Sequence, residues 1–422
     1  MSILLKQVKI VCPTSSFNNK TVDVLIEGGK IVDIKKNIIE KPNLKIITGN
    51  NLLLSIGWFD MLTTTGEPGF EHKETLNSLI KAAASGGFTG IAIHSNNQPQ
   101  LNTKAQIEFV LNNTKNKITD VYPFGTITID QCGKELSEMY DMKLSGAIAF
   151  SDYKHSIKDA GNVYRAIQYS NNINSLLFLH CDDESLSHNG QMNEGENSTK
   201  LGLKGMPALA EEIALARNIS ILEETGGKLH INNISTKGSI ELIKKAKANG
   251  LNITCGVSAI NLILDDNELI DFNSNLKLNP PLRTKKEVIA LKNAIESEII
   301  DVIVSDHCPH DPESKELEFD LAEFGAIQIQ TAIPCLLEKY KEKDLSKIVE
   351  ALTINPRKIL GLEIPTIELN SDANLTIFSQ DESFEFNKKY NLSLSTNSHL
   401  LNTNIQSKVI GVVNGAKSYF NA

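Results

Sequence analysis

Two kinds of hydrophobic pattern divide the chain into a middle part and two ends. At the N-terminal end, residues 8–11 are apolar, and the segment 21–34 contains two alternating stretches separated by a Gly-Gly pair. That pattern predicts short strands and a β-hairpin. Apolar stretches of the same character follow at 373–378 and 409–420. We therefore expect the two ends to pair into one small β domain.

The middle of the chain alternates apolar stretches with segments of helical periodicity, which predicts repeated βα units and a parallel sheet. In one helical segment Ile240 and Ile243 share an apolar face, while Lys244, Lys245 and Lys247 face water. Eight apolar stretches are the predicted strands: one ending near residue 61, and 90–95, 121–129, 146–151, 175–180, 228–234, 252–258 and 301–306.

Eight βα units in about 310 residues predict a TIM (β/α)8 barrel. We place this barrel at residues 55–364 and assign residues 1–54 and 365–422 to a small β-sandwich domain formed by both termini. A doubly wound open sheet is the alternative fold. A doubly wound sheet typically has a glycine-rich phosphate-binding turn after its first strand, and the sequence has none there.

Composition and charge limit the possible functions. The chain has 422 residues, 41% of them hydrophobic, and a formal net charge of -9 without a concentrated block of Lys and Arg. Nucleic acid is not an expected partner, because binding to phosphates needs clustered positive charge. No apolar run suits a membrane span and the N-terminus lacks a signal-peptide pattern, so we expect a cytoplasmic protein. The six cysteines show no CxxC spacing, which predicts neither a disulfide framework nor a zinc knuckle.

Polar side chains stand at the ends of several predicted strands, where a TIM barrel builds its active site. His180 ends the fifth strand and Asp306 ends the eighth. A histidine and an aspartate from different strands can converge on a metal such as zinc, but a catalytic zinc needs about three protein ligands. From these residues alone, a metal site and a pair of hydrogen-bonded structural residues stay open alternatives.

Four segments resemble the long bacterial type of dihydroorotase. They are GEPGFEHKETLNSLIKAAASGGFTGIA (66–92), LNPPLRTKKE (278–287), SDHCPHDPESKE (305–316) and LTINPRKILGLE (352–363). The resemblance runs on to VVNGAK at 412–417 and covers nearly the whole chain. It implies a TIM barrel with a terminal β-sandwich. It also implies the reversible, zinc-dependent cyclisation of carbamoyl aspartate to dihydroorotate in pyrimidine biosynthesis.

Only part of the family's catalytic set carries over to this chain. By the resemblance, His180 matches a metal-ligand position, and Asp306 matches the catalytic ligand that also moves the proton. Asn96, Asn279 and His310 match positions that contact the substrate.

Four metal-facing positions have changed. The family has D-x-H-x-H-x-R-E-P-G after the first strand, and here Leu62 and Thr64 stand at its two histidines. Tyr153 stands at the second Asp of the family's F-[ST]-D-D-G, although a shift of one residue could let Asp152 serve as a ligand. Asn233 stands at the ligand histidine of the sixth strand. Leucine cannot bind zinc and threonine is a poor ligand, so we expect no dihydroorotase-type metal centre and no cofactor, with zinc only if the family site is retained.

A substrate-binding position has also changed, and an alternative metal site has to be weighed. Gly66 stands at the family's arginine that grips the substrate carboxylate. A displaced metal site, in which His94 and His155 join His180 and Asp306, is one alternative. We favour the other interpretation, in which His94 packs at the barrel rim and is hydrogen bonded to the backbone.

Three functions stay open. First in order is an inactive dihydroorotase homologue with a structural role, for which aspartate carbamoyltransferase is the partner to test and a homodimer the expected assembly. The second is an active dihydroorotase, or a related cyclic amidohydrolase, with an altered metal site. The third is a binding module that uses the old small-molecule pocket through Asn96, Asn279, Arg283 and His310.

Overall fold

The computed structural model describes residues 2–341 and 343–421 as a barrel of parallel strands with a sheet built from both ends of the chain. The strands are β1 (Ser2–Ile10), β2 (Thr21–Glu27), β3 (Lys30–Lys35), β4 (Lys45–Ile47), β5 (Leu53–Ile56), β6 (Trp58–Thr64), β7 (Phe88–His94), β8 (Asp120–Pro123), β9 (Phe150–Ser151), β10 (Leu177–Leu179), β11 (Met192–Asn193), β12 (Gly205–Met206), β13 (Leu229–Ile231), β14 (Ile253–Ser258), β15 (Val302–Val304), β16 (Asn374–Ser379), β17 (Phe384–Phe386), β18 (Thr403–Ile405), β19 (Lys408–Asn414) and β20 (Lys417–Phe420). The α-helices are α1 (Leu76–Ser85), α2 (Lys104–Thr114), α3 (Met139–Leu144), α4 (Ala160–Asn172), α5 (Glu184–Ser187), α6 (Glu196–Leu201), α7 (Ala208–Thr225), α8 (Lys237–Ala248), α9 (Lys285–Glu296), α10 (Pro312–Lys315), α11 (Ala332–Lys339), α12 (Ser346–Leu352) and α13 (Ile354–Leu360).

Strands from the two ends of the chain form one sheet. Its order is β20-β19-β16-β5-β1-β2-β3, with β4 beside β1. β16 runs antiparallel to β5, so the C-terminal strands continue the sheet that the N-terminal strands begin. Its core contains the alternating residues Val24 and Ile26 together with Leu54 and Leu375. The predicted pairing of the two ends is confirmed, whereas the domain boundaries after residues 54 and 364 stay a prediction.

The barrel closes on itself in chain order. β6, β7 and β8 pair in parallel, and so do β9, β10, β13, β14 and β15. Parallel bridges from Gly125 to Phe150 and from Thr63 to His307 join these two groups at both edges. The predicted TIM barrel is therefore confirmed, and the open doubly wound sheet is excluded.

One predicted strand is in fact two. The apolar run before residue 61 divides at Gly57, so that β5 belongs to the terminal sheet and β6 begins the barrel. A Cβ atom at Gly57 would lie 2.0 Å from Thr89 Oγ1 and 2.2 Å from Asn374 Oδ1. The chain passes too closely between two domains there for any side chain, and hydrophobicity alone does not reveal that passage.

The helices cover the outside of the barrel through their apolar faces. In α8, Ile240 and Ile243 are buried while Lys244 and Lys245 are exposed, as the periodicity predicts. Lys247, also predicted to face water, is instead partly buried and forms an ion pair with Asp301 at 2.7 Å. Thr236 caps this helix by accepting a hydrogen bond from the Ser239 backbone N–H. Within residues 2–341 and 343–421, no helix is long and apolar enough to cross a membrane.

Candidate functional site

The carboxyl ends of five barrel strands bring most of the predicted site residues together. Strand alternation directs their side chains into the barrel mouth, where a TIM barrel places its chemistry. All six are buried: Leu62 and Thr64 in β6, Tyr153 after β9, His180 after β10, Asn233 after β13, and Asp306 after β15.

A lysine forms an ion pair with one member of this group. Lys154 Nζ lies 2.8 Å from Asp306 Oδ1 and 3.0 Å from Asp306 Oδ2. Both side chains are withdrawn from water, with 12% and 3% of their surfaces exposed. Burial raises the pKa of the Asp306 carboxyl, and the Lys154 ammonium and the Asn233 amide lower it again in part. The carboxylate at the family's proton-shuttle position thus forms a buried ion pair within the chain.

The sequence analysis did not single out Lys154, although a signal for it was present. The family motif F-[ST]-D-D-G ends in glycine at the position that this chain fills with Lys154. Replacing glycine by a long cationic side chain at a barrel mouth changes both volume and charge.

His180 and Asn233 bring further buried polar atoms to the barrel mouth. His180 Nε2 and both amide atoms of Asn233 are buried without a regular hydrogen-bond partner. Burial lowers the pKa of His180 to about 3, and the charges of Lys154 and His155 add to this effect. The His180 ring is therefore neutral near pH 7.

The two altered positions of β6 make ordinary structural contacts. Leu62 packs into an apolar cluster inside the barrel with Met61, Tyr153 and Phe178. The Thr64 hydroxyl donates to the His307 carbonyl, 3.1 Å away. Apolar packing and a backbone hydrogen bond stand where the family's pattern would place two imidazoles.

Asp152 is committed to the loop after β8. Its carboxylate accepts from the backbone N–H groups of Ile127 and Thr128 at 2.8 and 3.0 Å, and from the Thr128 hydroxyl at 2.5 Å. Burial raises the pKa of Asp152 to about 6, against the lowering effect of these donors. Asp152 thus holds the loop after β8 in place. A metal would have to compete with three existing hydrogen bonds for the Asp152 carboxylate oxygens.

His94 is packed into the barrel, as we favoured. Its ring stacks on Phe124 with 4.1 Å between centroids, and Nε2 donates to the Met61 carbonyl at 2.9 Å. Burial lowers the pKa of His94 to about 4. His155, the other histidine of the displaced site, is exposed. The displaced site is wrong for His94, because that ring is held by stacking and by the backbone.

The residues present do not fit the family's zinc. Leu62 offers no donor atom, and the Asp306 carboxylate is held by an ammonium group. Throughout the part of the chain that the structure describes, no three His, Cys, Asp or Glu side chains are arranged to hold a metal ion. We therefore derive no catalytic step through a metal.

Two of the predicted substrate contacts meet at a cysteine. The Cys308 sulfur lies 3.4 Å from His310 Nε2 and 3.7 Å from Asn96 Nδ2. Burial by itself would raise the pKa of the Cys308 thiol, but His310, Lys154 and Tyr153 lower it to about 6. The structure does not bring Asn279 into this contact; it is half-buried in the loop after β14. The sequence analysis mentioned no role for Cys308.

Gly66 stands where no side chain fits. A Cβ atom on Gly66 would lie 2.0 Å from the Phe70 carbonyl oxygen and 2.9 Å from the Glu74 carbonyl oxygen. The turn is held by hydrogen bonds from Gly66 N to Glu74 O and from Phe70 N to Gly66 O. The arginine of the family is thus excluded by the backbone of this turn as well as by the sequence.

Arg283 serves the structure of the loops. Its guanidinium donates to Ser235 Oγ, Asn193 Oδ1 and the Met206 carbonyl, and lies 3.8 Å from Glu211. The side chain is 4% exposed. These contacts hold the loops of the barrel mouth together, and the hypothesis that Arg283 contacts a ligand stays a prediction.

A cleft opens at the mouth beside Lys154. It has a volume of about 520 Å³ and is lined by Gln131, Cys132, Gly133, Lys134, Lys154, His155, Ser156, Lys158, Asp159, Asp182 and Glu184. The cleft lies on the side of the third, fourth and fifth barrel strands. Asn96, Asn279 and His310 are not among its lining residues.

Comparison with known proteins decides the family. The family profile described as "Dihydro-orotase-like" matches residues 52–239. A protein of Pelotomaculum thermopropionicum named "Dihydroorotase" is 38% identical over 384 residues, which is 90% of each chain. The chain belongs to the dihydroorotase family. The "Dihydroorotase" of Aquifex aeolicus is 34% identical over 423 residues and matches 100% of this chain and 99% of its own.

Solved structures agree with the fold of this dihydroorotase-family chain. The L-hydantoinase from Arthrobacter aurescens superposes with a TM-score of 0.82 over 99% of this chain and 95% of its own, at 20% identity. A D-hydantoinase structure gives a TM-score of 0.80, also at 20% identity. At that identity the likeness concerns the barrel and its terminal sheet.

Proposed function

We propose that this dihydroorotase-family protein does not catalyse the metal-dependent opening or closing of the dihydroorotate ring, and that it has a structural role. The observation that carries the proposal is the buried ion pair between Lys154 and Asp306 at the barrel mouth. Asp306 is the residue to which the resemblance assigns proton transfer, and here its oxygens face an ammonium group.

An ammonium group can supply positive charge, but it cannot replace zinc chemically. Zinc acts as a Lewis acid and lowers the pKa of its bound water to about 7. Lys154 has no open coordination position and cannot hold a hydroxide as a ligand. Its charge does balance the buried Asp306 carboxylate, because a buried charge needs a partner. These contacts support a barrel that is stable without a metal.

The changes around the ion pair support the same function. Leu62 and Tyr153 enlarge the apolar packing inside the barrel, and Gly66 leaves no room for the substrate-gripping arginine. Clustered imidazoles and carboxylates without a metal would be costly to bury. The side chains present in this chain avoid that cost, as a metal-free scaffold requires.

An active cyclic amidohydrolase with an altered site is the second candidate. Its support is the similarity over 90% or more of the chain to relatives named "Dihydroorotase", together with the unsatisfied polar atoms of His180 and Asn233. Those atoms could face a substrate. Activity and metal content separate the two candidates.

The decisive experiment measures both properties on one preparation. The purified chain is dialysed against zinc, then against buffer, and assayed for dihydroorotase activity in both directions beside the Aquifex aeolicus relative. We expect no stoichiometric zinc and no activity above the uncatalysed rate. Stoichiometric zinc that is lost on His180→Ala, or turnover that is lost on Asp306→Asn, would establish the second candidate instead.

The structural role needs a partner, and we propose aspartate carbamoyltransferase from the same organism, in the cytoplasm, with this chain as a homodimer. Co-purification and light scattering of the mixed proteins test the assignment. We expect one complex whose mass contains both chains. Separate elution at micromolar concentrations of each protein would exclude this partner, and a monomeric mass for the chain alone would exclude the homodimer.

A further inference from the structure

Two loops on the mouth side of the barrel expose large apolar side chains. The loops follow β14 and β15 and include residues 268–272 and 313–323. Four apolar residues in them expose between 44% and 64% of their surfaces: Ile270, Phe272, Leu317 and Leu321. Single exposed apolar residues are ordinary on a protein surface, whereas a contiguous group of them indicates an interaction site.

The two loops are joined to each other by hydrogen bonds and by a ring contact. The Ser274 hydroxyl donates to the Lys315 carbonyl at 2.7 Å, and Lys315 Nζ donates to the Ser274 carbonyl at 2.6 Å. The rings of Phe272 and Phe319 meet edge to face, with 6.3 Å between their centroids. Phe319 is buried, and the two exposed leucines flank it in the sequence. The exposed apolar residues therefore belong to two adjoining loops.

The same loops carry exposed carboxylates beside the apolar residues. They are Glu268, Asp271, Glu313, Glu316, Glu318, Asp320 and Glu323. Within residues 2–341 and 343–421, none of these carboxylates forms an ion pair with a basic side chain. We call these carboxylates and the four exposed apolar residues the acidic apolar patch.

The lysines of these loops do not balance the charge at the surface. Lys277 and Lys315 are both buried. The Lys277 ammonium group donates to the Asp320 carbonyl, and that of Lys315 donates to the carbonyls of Ser274 and Glu323. Both ammonium groups thus face the interior of the loops. The surface that a partner would meet is apolar and negatively charged.

We propose that the acidic apolar patch is the docking surface for a partner protein whose contacting surface presents apolar side chains beside lysines and arginines. The inference rests on the proposed structural role and names the face of the barrel that performs it. Apolar side chains of the partner cover the four exposed ones and remove them from water. Lysines and arginines of the partner pair with the carboxylates of the patch. The charge of the patch therefore selects a basic partner.

Other occupants fit the patch less well. A second copy docked through the same face would bring the carboxylates of both copies together, and like charges across an interface repel each other. Nucleic acids and anionic lipid surfaces are negatively charged and are repelled in the same way. A metal ion is not favoured, because no three His, Cys, Asp or Glu side chains of the described residues are arranged to hold one.

Synthetic peptides test the chemistry of the partner. The probe is an amphipathic peptide of leucine and lysine, and its control has glutamate in place of each lysine. Fluorescence anisotropy at low salt measures the binding of each peptide to the intact chain. We expect the lysine peptide to bind at least about tenfold more tightly than the glutamate peptide, and added salt to weaken its binding, because its charges complement those of the patch. Equal binding of the two peptides, or binding of neither, would overturn the proposal.

Substitutions at exposed positions locate the binding on the chain. The apolar variant, Ile270→Ser with Leu321→Ser, removes apolar surface from the patch. The charge variant, Glu316→Gln with Glu318→Gln, removes two carboxylates and keeps the size of the side chains. We expect each variant to weaken binding of the lysine peptide at least about fivefold, because truncating a central interface contact costs more than about 1 kcal/mol.

Matched controls make the same changes at exposed residues outside the patch. They are Tyr140→Ser with Leu144→Ser on α3, and Glu223→Gln with Glu224→Gln near the end of α7. The controls should bind the lysine peptide as wild type does, and thermal melts should show that all four variants are folded. Peptide binding that the patch variants retain, or that the controls lose equally, would overturn the proposal.

The partner named above provides a separate test. Wild type and the two patch variants are each mixed with aspartate carbamoyltransferase, and light scattering measures the masses that form. Loss of the complex in the patch variants supports docking at this surface. A complex that the variants form as well as wild type does would overturn the proposal and leave the structural role intact. If wild type forms no complex, that partner is excluded and the peptide titrations decide the proposal. A homodimer that dissociates in the apolar variant would assign the patch to a second copy and overturn the proposal.

Discussion

The Lys154 ammonium lies 2.8 Å from the Asp306 carboxylate and joins the end of the fourth barrel strand to the end of the eighth. Asp306 itself and Tyr153, which precedes Lys154, have an unusual backbone conformation. Tyr153 has φ of 53° and Asp306 has φ of 56°, a left-handed backbone that non-glycine residues adopt rarely. Such conformations persist only where surrounding contacts hold them. The ion pair joins the two segments that contain these residues.

Removing Lys154 should expose the cost of burying Asp306. We expect Lys154→Met to lower the free energy of unfolding by about 3 kcal/mol, because an unpaired buried charge is strongly destabilising. The double variant Lys154→Met with Asp306→Asn should recover most of that loss. Urea denaturation of the two single variants and the double variant measures the coupling between the residues.

The matched control is Lys158→Met, four residues farther along the chain. Lys158 forms an ion pair with Glu184, but both side chains are largely exposed. Its replacement should cost well under about 1 kcal/mol. Equal losses for Lys154→Met and Lys158→Met would contradict the central place that we give to the buried pair.

Restoring a metal site should require removal of the lysine as well as return of the ligands. We expect the fivefold variant Leu62→His, Thr64→His, Tyr153→Asp, Asn233→His and Lys154→Gly to be less stable than wild type without metal. Zinc should recover stability, because it binds only the folded chain. Activity need not return, since the arginine is still missing at Gly66.

Thermal melts with and without zinc test this expectation. The comparison is the fourfold variant that retains Lys154, in which the ammonium should oppose the cation and reduce the zinc-dependent rise in melting temperature. A metal-free fivefold variant as stable as wild type would refute the argument that the present side chains favour a metal-free barrel.

Gly66 should tolerate no larger residue. We expect Gly66→Ala to destabilise the fold by about 1 to 3 kcal/mol, the usual cost of overpacking, because the new Cβ atom would overlap the Phe70 carbonyl oxygen. Gly195→Ala is the control, since a Cβ atom there meets only Asn193 Nδ2, at 3.6 Å. Chemical denaturation of both variants distinguishes a steric requirement from a general effect of glycine. Equal losses would remove the steric explanation.

The same turn predicts weak binding of dihydroorotate. Without the arginine, the chain lacks a charge-assisted contact of about 1.5 to 3 kcal/mol to the substrate carboxylate. Calorimetry of wild-type protein with dihydroorotate should therefore give no binding in the micromolar range. A micromolar affinity would mean that another group grips the carboxylate.

Acidic pH should destabilise the fold through its buried imidazoles. Burial lowers the pKa of His230 to about 3, well below the value near 6.5 of an unfolded histidine. Between pH 7 and pH 5 the unfolded chain therefore takes up a proton that the folded chain does not, and stability falls as the pH falls. For one such ring the loss by pH 5 is about 2 kcal/mol.

Denaturation at pH 7 and pH 5 for wild type and His230→Gln measures this effect. The variant should lose about 2 kcal/mol less between the two pH values than wild type does. Asp60 and Asp152 act in the opposite direction, since burial raises the pKa of each to about 6. Both carboxyl groups are present in wild type and in His230→Gln, so their contributions cancel in the difference between the two proteins. His188→Gln makes the same substitution at an exposed residue and should leave the free energy of unfolding at pH 7 as it is in wild type.

The fold and the family could be read from the sequence, because both depend on local patterns. Alternation of apolar strands and amphipathic helices predicts the barrel, and its closure follows from chain order. The altered positions Leu62, Thr64 and Asn233 are visible as residue identities within recognisable motifs. Each of these inferences needs only neighbours along the chain, and the structure agrees with the fold that they predict.

Other features depend on where side chains from distant segments come to rest. Lys154 and Asp306 are 152 residues apart in the sequence. The local sequence around either residue does not predict that the two charges form an ion pair. Asp152 could have pointed at the barrel centre, but three donors of the loop after β8 take its carboxylate. His310, matched to a substrate contact, lies against Cys308 in the structure. The sequence by itself determined which chemical groups the barrel mouth contains, and tertiary packing decided which of them touch, because contact depends on strand register and side-chain direction.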